Sequence, residues 1–213
     1  MNKKKTIYTI GHSTHQLSYF LELLKEYNIN CIVDVRSVPA SAYNPQFNQE
    51  PFKRFLKNHK IAYLHFGKEF GARQTDPNLF DNEGILDFKK VRKTNSFKSG
   101  LERIMKGDNK GFNLAIMCSE SDPLDCHRFS MISVGLIDYG FNINHIMKDK
   151  TIKTQSELEK DLLKQFNKKL PQRDLFNPNI GIKEQLVVAY KLKNKKIGYS
   201  LNSINKNEGE YYD

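Results

Sequence analysis

Five short apolar runs recur along this chain, at residues 6–10, 31–35, 61–65, 113–117 and 143–147, with amphipathic stretches between them. Runs of that length without polar alternation predict strands buried on both faces. Between the first two, Leu17, Phe20, Leu21, Leu24 and Tyr27 fall at helical spacing, and Ser13 or Thr14 is the expected N-cap. Phe52, Phe55 and Leu56 mark a second helix; Met131, Ile132, Val134, Leu136 and Ile137 mark one over 126–139 that stops at Gly140. Strands alternating with helices predict an α/β fold: three layers, a mostly parallel sheet with helices on both faces. Beyond residue 150 the pattern turns helical, with a basic amphipathic helix over 154–170 and a shorter one over 183–192. The expected organisation is an α/β core domain over 1–150, a C-terminal helical extension over 151–197 packed on it, and a flexible tail over 198–213.

Composition narrows the function classes. No apolar run approaches the roughly 20 residues that a membrane-spanning helix needs, so no membrane partner is expected. Three cysteines, an odd number in 213 residues, suit a reducing compartment, and the expected location is cytoplasmic. The formal charge of +10 points to an anionic partner, with a nucleotide or nucleic acid the expected class. Lysine-rich solvated faces also occur in proteins that touch no nucleic acid. Oligomeric state leaves no mark in the sequence.

The chemistry-bearing residues cluster where strands end. Gly11-His12-Ser13 follows the first run, Asp34-Val35-Arg36 ends the second, His65 ends the third and Cys118 ends the fourth. In a parallel sheet these four ends share one edge, the edge where ligands of open α/β sheets bind. The Gly11 turn offers backbone N–H groups to an anion, or serves only to start a helix. Arg36 reads either as a fork for an anionic substrate or as the partner of Asp34. The loop through Asn44, Gln46 and Asn48 is rich in amide donors, with Tyr43 and Phe47 as stacking surfaces.

The run from Asn113 to Arg128 holds the densest group: Cys118, Glu120, Asp122, Cys126, His127 and Arg128 at one strand-to-helix turn. Thiols and imidazole are zinc ligands, but seven residues separate the cysteines and no second close pair completes a tetrahedron. A fourth ligand would have to be His12, His65 or Glu120. Cys126, at a helix start beside His127 and Arg128, meets the electrostatic condition for a reactive thiolate. Equally, Cys118 suits a small buried hydrophobe. Arg128 near a helix start opposes the macrodipole, so either a bound anion or a carboxylate of Glu120 or Asp122 should balance it.

These motifs, together with Gly71-Ala72-Arg73 and Gln172-Arg173-Asp174-Leu175-Phe176, resemble the domain of unknown function 488 family. The string Cys118-x-Glu120-x-x-Pro123-x-x-Cys126-His127-Arg128 is the most specific part of the likeness. The resemblance implies an α/β domain with a shared polar site and supplies no substrate. The expectation is an enzyme with its polar site at the C-terminal sheet edge, acting on a nucleotide or nucleic acid. His12, Glu120, Cys118 and Cys126 are the candidate catalytic residues. Gly11, Ser13, Arg36, Asn44, Arg73, His127 and Arg128 are the candidate anion-binding residues. No residue is assigned to a metal, and no cofactor follows from the sequence. The alternatives are a non-catalytic basic module that binds nucleic acid and a zinc-stabilised interaction protein.

Overall fold

The computed structural model describes residues 5–173 and 179–201. It is an α/β fold built on one six-stranded sheet. The elements run β1 (Thr6–Gly11), α1 (Leu17–Glu26), β2 (Cys31–Asp34), α2 (Gln49–Asn58), β3 (Ala62–His65), α3 (Gly67–Phe70), α4 (Phe88–Val91) and α5 (Asn95–Asn109). They continue with β4 (Leu114–Cys118), a π-helix (Arg128–Ser133), α6 (Val134–Asp138), β5 (Asn142–Ile146), β6 (Ile152–Thr154), α7 (Gln155–Phe166) and α8 (Ile182–Ile197). The strand order is β3-β2-β4-β1-β5-β6, and only β6 pairs antiparallel. No helix among the described residues is long and apolar enough to cross a membrane.

Strand alternation sorts the core into two layers. Ile7, Cys31, Val33, Leu114, Ile116, Cys118 and Ile143 face α3, α4, α5 and the π-helix, through Phe70, Phe88, Phe97 and Met131. Ile10, Ile32, Ala115, Met117 and Ile146 face α1 and α2, through Phe20, Leu24, Phe52 and Leu56. The five apolar runs are all strands, and the helices lie on both faces as the pattern required, but β3, at the sheet edge, is not buried on both faces and leaves Leu64 exposed. A third cluster, Phe129, Leu158, Leu162, Leu170 and Ala189, seats α7 and α8 on the outer side of the π-helix.

Several local expectations are corrected. Neither Ser13 nor Thr14 caps α1: both lie inside the turn closed by the His15 N–H to the His12 carbonyl, Ser13 at φ 47°, and Gln16 takes the cap position without a side-chain bond. The continuous helix expected over 126–139 opens instead as a π-helix, whose Arg128 carbonyl accepts a 2.7 Å bond from the Ser133 hydroxyl. All six π-helical residues are buried, so tertiary packing overrides the local preference for α winding. The sixth strand, β6, has no apolar run to announce it. It ends at Thr154, which caps α7 in a reciprocal pair with Glu157. The tail expected over 198–213 lies outside the described residues from 202 on, as do Asp174, Leu175 and Phe176 of the family-like segment.

A buried polar chain ties β1 and β5 to the C-terminal helices. Thr9 Oγ1 meets His145 Nδ1 at 2.8 Å, His145 Nε2 meets Gln155 Oε1 at 2.8 Å, and the Gln155 amide donates to Tyr190 at 2.7 Å. Tyr190 then donates to Glu159 at 2.8 Å. The Gln155 oxygen can only accept, so His145 Nε2 carries the proton and Nδ1 accepts from Thr9: the ring is neutral. Burial, aided by the charge of Arg128, depresses its pKa to about 3. The unfolded chain therefore takes up this proton first. Stability is full above about pH 6.5 and falls as the pH drops from there toward the folded value. Between pH 7 and about 5 the loss is about 2 kcal/mol, since each unit is about 1.4 kcal/mol. Denaturant titrations at the two pH values measure it; a His145→Gln variant whose stability falls just as steeply would refute the assignment.

Candidate functional site

The register fixes which strand ends share an edge. Gly11 lies opposite Cys118, Asp34 opposite Met117 and also opposite His65. Four parallel strands therefore end together, as the sequence pattern required. β1 leads to a helix on one face of the sheet and adjacent β4 to a helix on the other. The chain leaves these neighbouring strands toward opposite faces, and such a switch of faces is where open α/β sheets place their ligands.

The two loops are locked to each other by backbone. His12 N–H donates to the Cys118 carbonyl at 2.9 Å, and Ser13 N–H to the Ser119 carbonyl at 2.8 Å. Those donors are spent inside the protein, so the Gly11-His12-Ser13 turn does not offer them to an anion. Gly11 serves close approach instead. A Cβ there would stand 1.9 Å from the Glu120 carbonyl oxygen, so only glycine admits the second loop.

His12 and Arg36 form the first side-chain group. Arg36 is gripped by Asp34 through Nε at 3.0 Å and Nη2 at 2.6 Å, and Nη2 also donates to the Phe47 carbonyl at 2.8 Å. Its Nη1 donates to His12 Nε2 at 3.2 Å, while His12 Nδ1 donates to the Ser13 carbonyl at 2.8 Å. Burial and the Arg36 charge lower the His12 pKa to about 4, so the ring is neutral. Of the two readings of Arg36, the structure realises the pairing with Asp34. The Phe47 ring is wholly buried and stacks on His12 at 4.4 Å, so it is part of the core and not a platform for a base. Tyr43 is 94% exposed. Tyr63 was not legible as a member of the group; its hydroxyl donates to Asp34 at 2.7 Å. Its place two residues before His65 on the same strand face was the available signal.

The second group is the Cys118 turn. Cys118, Cys126 and His127 are all buried, and their ligand atoms lie within 4.8 Å of one another. His127 Nδ1 is 3.9 Å from the Cys118 sulfur and 3.7 Å from the Cys126 sulfur. Burial opposes charge on Cys126, but bonding from the Cys118 thiol and the charges of Arg128 and His127 outweigh it and bring its pKa well down. The Arg128 backbone N–H adds a 3.4 Å donor to the same sulfur. Cys118, bonded to that sulfur and buried, is pushed the other way and keeps its proton. The two thiols are thus driven apart, with negative charge favoured on Cys126 over Cys118. Glu120 is the exposed member: burial of its carboxyl end and repulsion from Cys126 raise its pKa, and the carboxyl interacts with both thiols.

Arg128 holds this turn from inside. It is the largest fully buried side chain, with Nη1 donating to the Glu120 carbonyl at 2.6 Å and Nη2 to the Ser121 carbonyl at 3.0 Å. Neither the carboxylate of Glu120 nor that of Asp122 balances it, which corrects the expected pairing. Asp122 instead caps a short turn through the Leu124 N–H, and Asp125 receives the buried ammonium of Lys193 from α8 at 2.8 Å. Lys193 was missed because nothing in a lysine-rich helix distinguishes the one lysine that points inward.

The remaining candidates lie apart. His65 Nε2 meets the Arg36 carbonyl at 2.8 Å, which fixes that loop. Asn44 begins a short turn, with its N–H bonded to the Ser41 hydroxyl at 3.3 Å. Arg73 is exposed, its backbone N–H held by the Ser37 hydroxyl at 2.9 Å and its guanidinium 5.8 Å from the centre of the Tyr199 ring. The structure thus unites His12, Arg36, Cys118, Glu120, Cys126, His127 and Arg128, and leaves Asn44 and Arg73 on neighbouring loops.

No curated protein and no solved structure matches this chain. A family pattern does, over residues 16–133, a span running from the cap of α1 to the last residue of the π-helix and taking in Asp34, Arg36, Cys118, Glu120, Cys126, His127 and Arg128 but not Gly11, His12 or Ser13. With more than half of its length inside that match, the chain belongs to the family of the domain of unknown function DUF488.

Proposed function

We propose that this chain is an enzyme acting on a nucleotide or nucleic-acid substrate, with Glu120 as its acid–base group at the C-terminal edge of the sheet. One observation carries the reading: on the exposed residue Glu120, a carboxyl whose pKa is raised stands beside a buried cluster of two thiols and an imidazole. A carboxyl moved toward neutral pH can both take and return a proton, which is what acid–base catalysis asks of it. The substrate class rests on the +10 charge and on the exposed Arg73, whose backbone is held by Ser37 next to Arg36. Arg36 and His12 are positioning residues in this reading, since their polar atoms are engaged within the protein, and so is Arg128, whose Nη1 and Nη2 hold the Glu120 and Ser121 carbonyls.

Glu120→Gln tests it against panels of nucleotides, RNA and DNA. Turnover is expected to fall by about 10²–10⁴-fold, with melting temperature and substrate affinity unchanged. A variant as active as the parent would remove Glu120 from the chemistry. Binding without turnover by the parent protein would replace the enzyme with a nucleic-acid-binding module.

A further inference from the structure

We propose that Cys118, Cys126 and His127 form the three protein ligands of a soft divalent cation, Zn²⁺ by its chemistry, with the fourth position open beside Glu120. The inference deepens the enzymatic reading by naming what the cluster holds, but the donor geometry it stands on is independent of that reading.

Distance is the first argument. With zinc–sulfur bonds near 2.3 Å and zinc–nitrogen bonds near 2.0–2.1 Å, a tetrahedral site sets sulfur and nitrogen donors about 3.6 Å apart. The two measured separations, 3.7 and 3.9 Å, are those of such an edge. They are long for good hydrogen bonds, and sulfur makes only weak ones, so hydrogen bonding alone is a poor reason to gather three such groups. The donor set itself, two sulfurs and an imidazole, is the one that borderline-soft divalent cations select.

The surroundings are the second argument. Metal-bound thiolates are held by outer donors, and the Arg128 N–H already donates to the Cys126 sulfur. A histidine that ligates through one nitrogen carries its proton on the other. His127 turns Nδ1 to the two sulfurs and leaves Nε2, buried and without a hydrogen-bond partner, to carry that proton. The other residues able to complete a tetrahedron are committed elsewhere: His12 Nε2 to Arg36 and His65 Nε2 to the Arg36 carbonyl. Three protein ligands and a free position are the arrangement of catalytic rather than structural zinc sites. A bound ion would lower the pKa of a water at that position, and Glu120, in the same turn between Cys118 and Cys126, would be the carboxylate to receive its proton.

The test uses the full chain, purified reduced and without chelator. Elemental analysis is expected to give about one zinc per chain. Replacing it with Co²⁺ should produce thiolate-to-cobalt charge-transfer bands and the intense visible bands of a tetrahedral site. Cys118→Ser and Cys126→Ser should each weaken zinc binding by at least about 100-fold, while Cys31→Ser, remote in the core, leaves it unchanged. Should a serine variant fail to fold, thiol counting on the parent protein decides: in native protein, two of the three cysteines become titratable only after zinc is removed. A reduced parent protein that carries no zinc and gives no cobalt spectrum on titration overturns the proposal. So does a Cys118–Cys126 disulfide as the resting form. Glu120→Gln separates the two readings, because it should keep the cobalt spectrum while losing turnover. A loaded centre with no turnover in any panel defeats the enzyme and leaves the site. Turnover that survives exhaustive chelation defeats the site and leaves the enzyme.

Discussion

Arg128→Ala is expected to lower stability by about 3–5 kcal/mol, a fall in melting temperature of roughly 10 °C for a chain of this size. The guanidinium is wholly buried and donates to the carbonyls of Glu120 and Ser121. Alanine leaves both carbonyls without their donor, at about 1–3 kcal/mol each, and opens a cavity where the largest buried side chain stood. It also removes the cation that helps hold negative charge on Cys126. Arg128→Lys should recover part of the loss, because an ammonium keeps the charge but cannot span two carbonyls with a rigid fork. Thermal melts of the three proteins make the measurement. A melting temperature unchanged in the alanine variant would mean that Arg128 serves a ligand and not the turn.

Gly11→Ala should be nearly as costly, about 3 kcal/mol or more, for the addition of one methyl group. Overpacking is usually relieved by side chains that move, but here the obstacles are the carbonyl oxygen of Glu120 at 1.9 Å and its carbon at 2.8 Å. That carbonyl cannot retreat without breaking its bond from Arg128, and the same loop is bonded to His12 and Ser13 through backbone. The variant is therefore expected to lose both stability and whatever depends on the placing of Glu120. Gly107→Ala supplies the contrast. Its new Cβ would meet only Leu114 methyls at 3.5 and 3.6 Å, and in helix α5 alanine should stabilise by up to about 1 kcal/mol. Equal melting temperatures for Gly11→Ala and the parent would show that the two loops part more easily than their bonding indicates.

The two substitutions act on one structure, the crossing of the loops after β1 and β4. That crossing explains why residues read as binding elements turned out to be internal. The Gly11 turn looked like an anion cradle because glycine, a hydroxyl residue and a helix start coincide there. Nothing local says that its N–H groups are taken by Cys118 and Ser119. Phe47 looked like a stacking surface because its neighbours are polar. It is core because the loop folds back over the sheet and sets its ring against His12, Phe20 and Phe52.

The sequence by itself determined the layers, the parallel strands and the edge on which chemistry would gather. Those follow from periodicity, since an apolar run of five can be buried on both faces only inside a covered sheet. It also determined the cast of the site, because Cys118, Glu120, Cys126, His127 and Arg128 lie within one turn of chain. Only the tertiary structure decided what each does. Whether a guanidinium meets a ligand, a carboxylate or a carbonyl depends on which loop lies across it, and so on the order of strands in the sheet. The π-helix, the buried Lys193 and the convergence of three soft ligand atoms share that origin. Each is fixed by contacts between segments far apart in the chain, where local pattern carries no information.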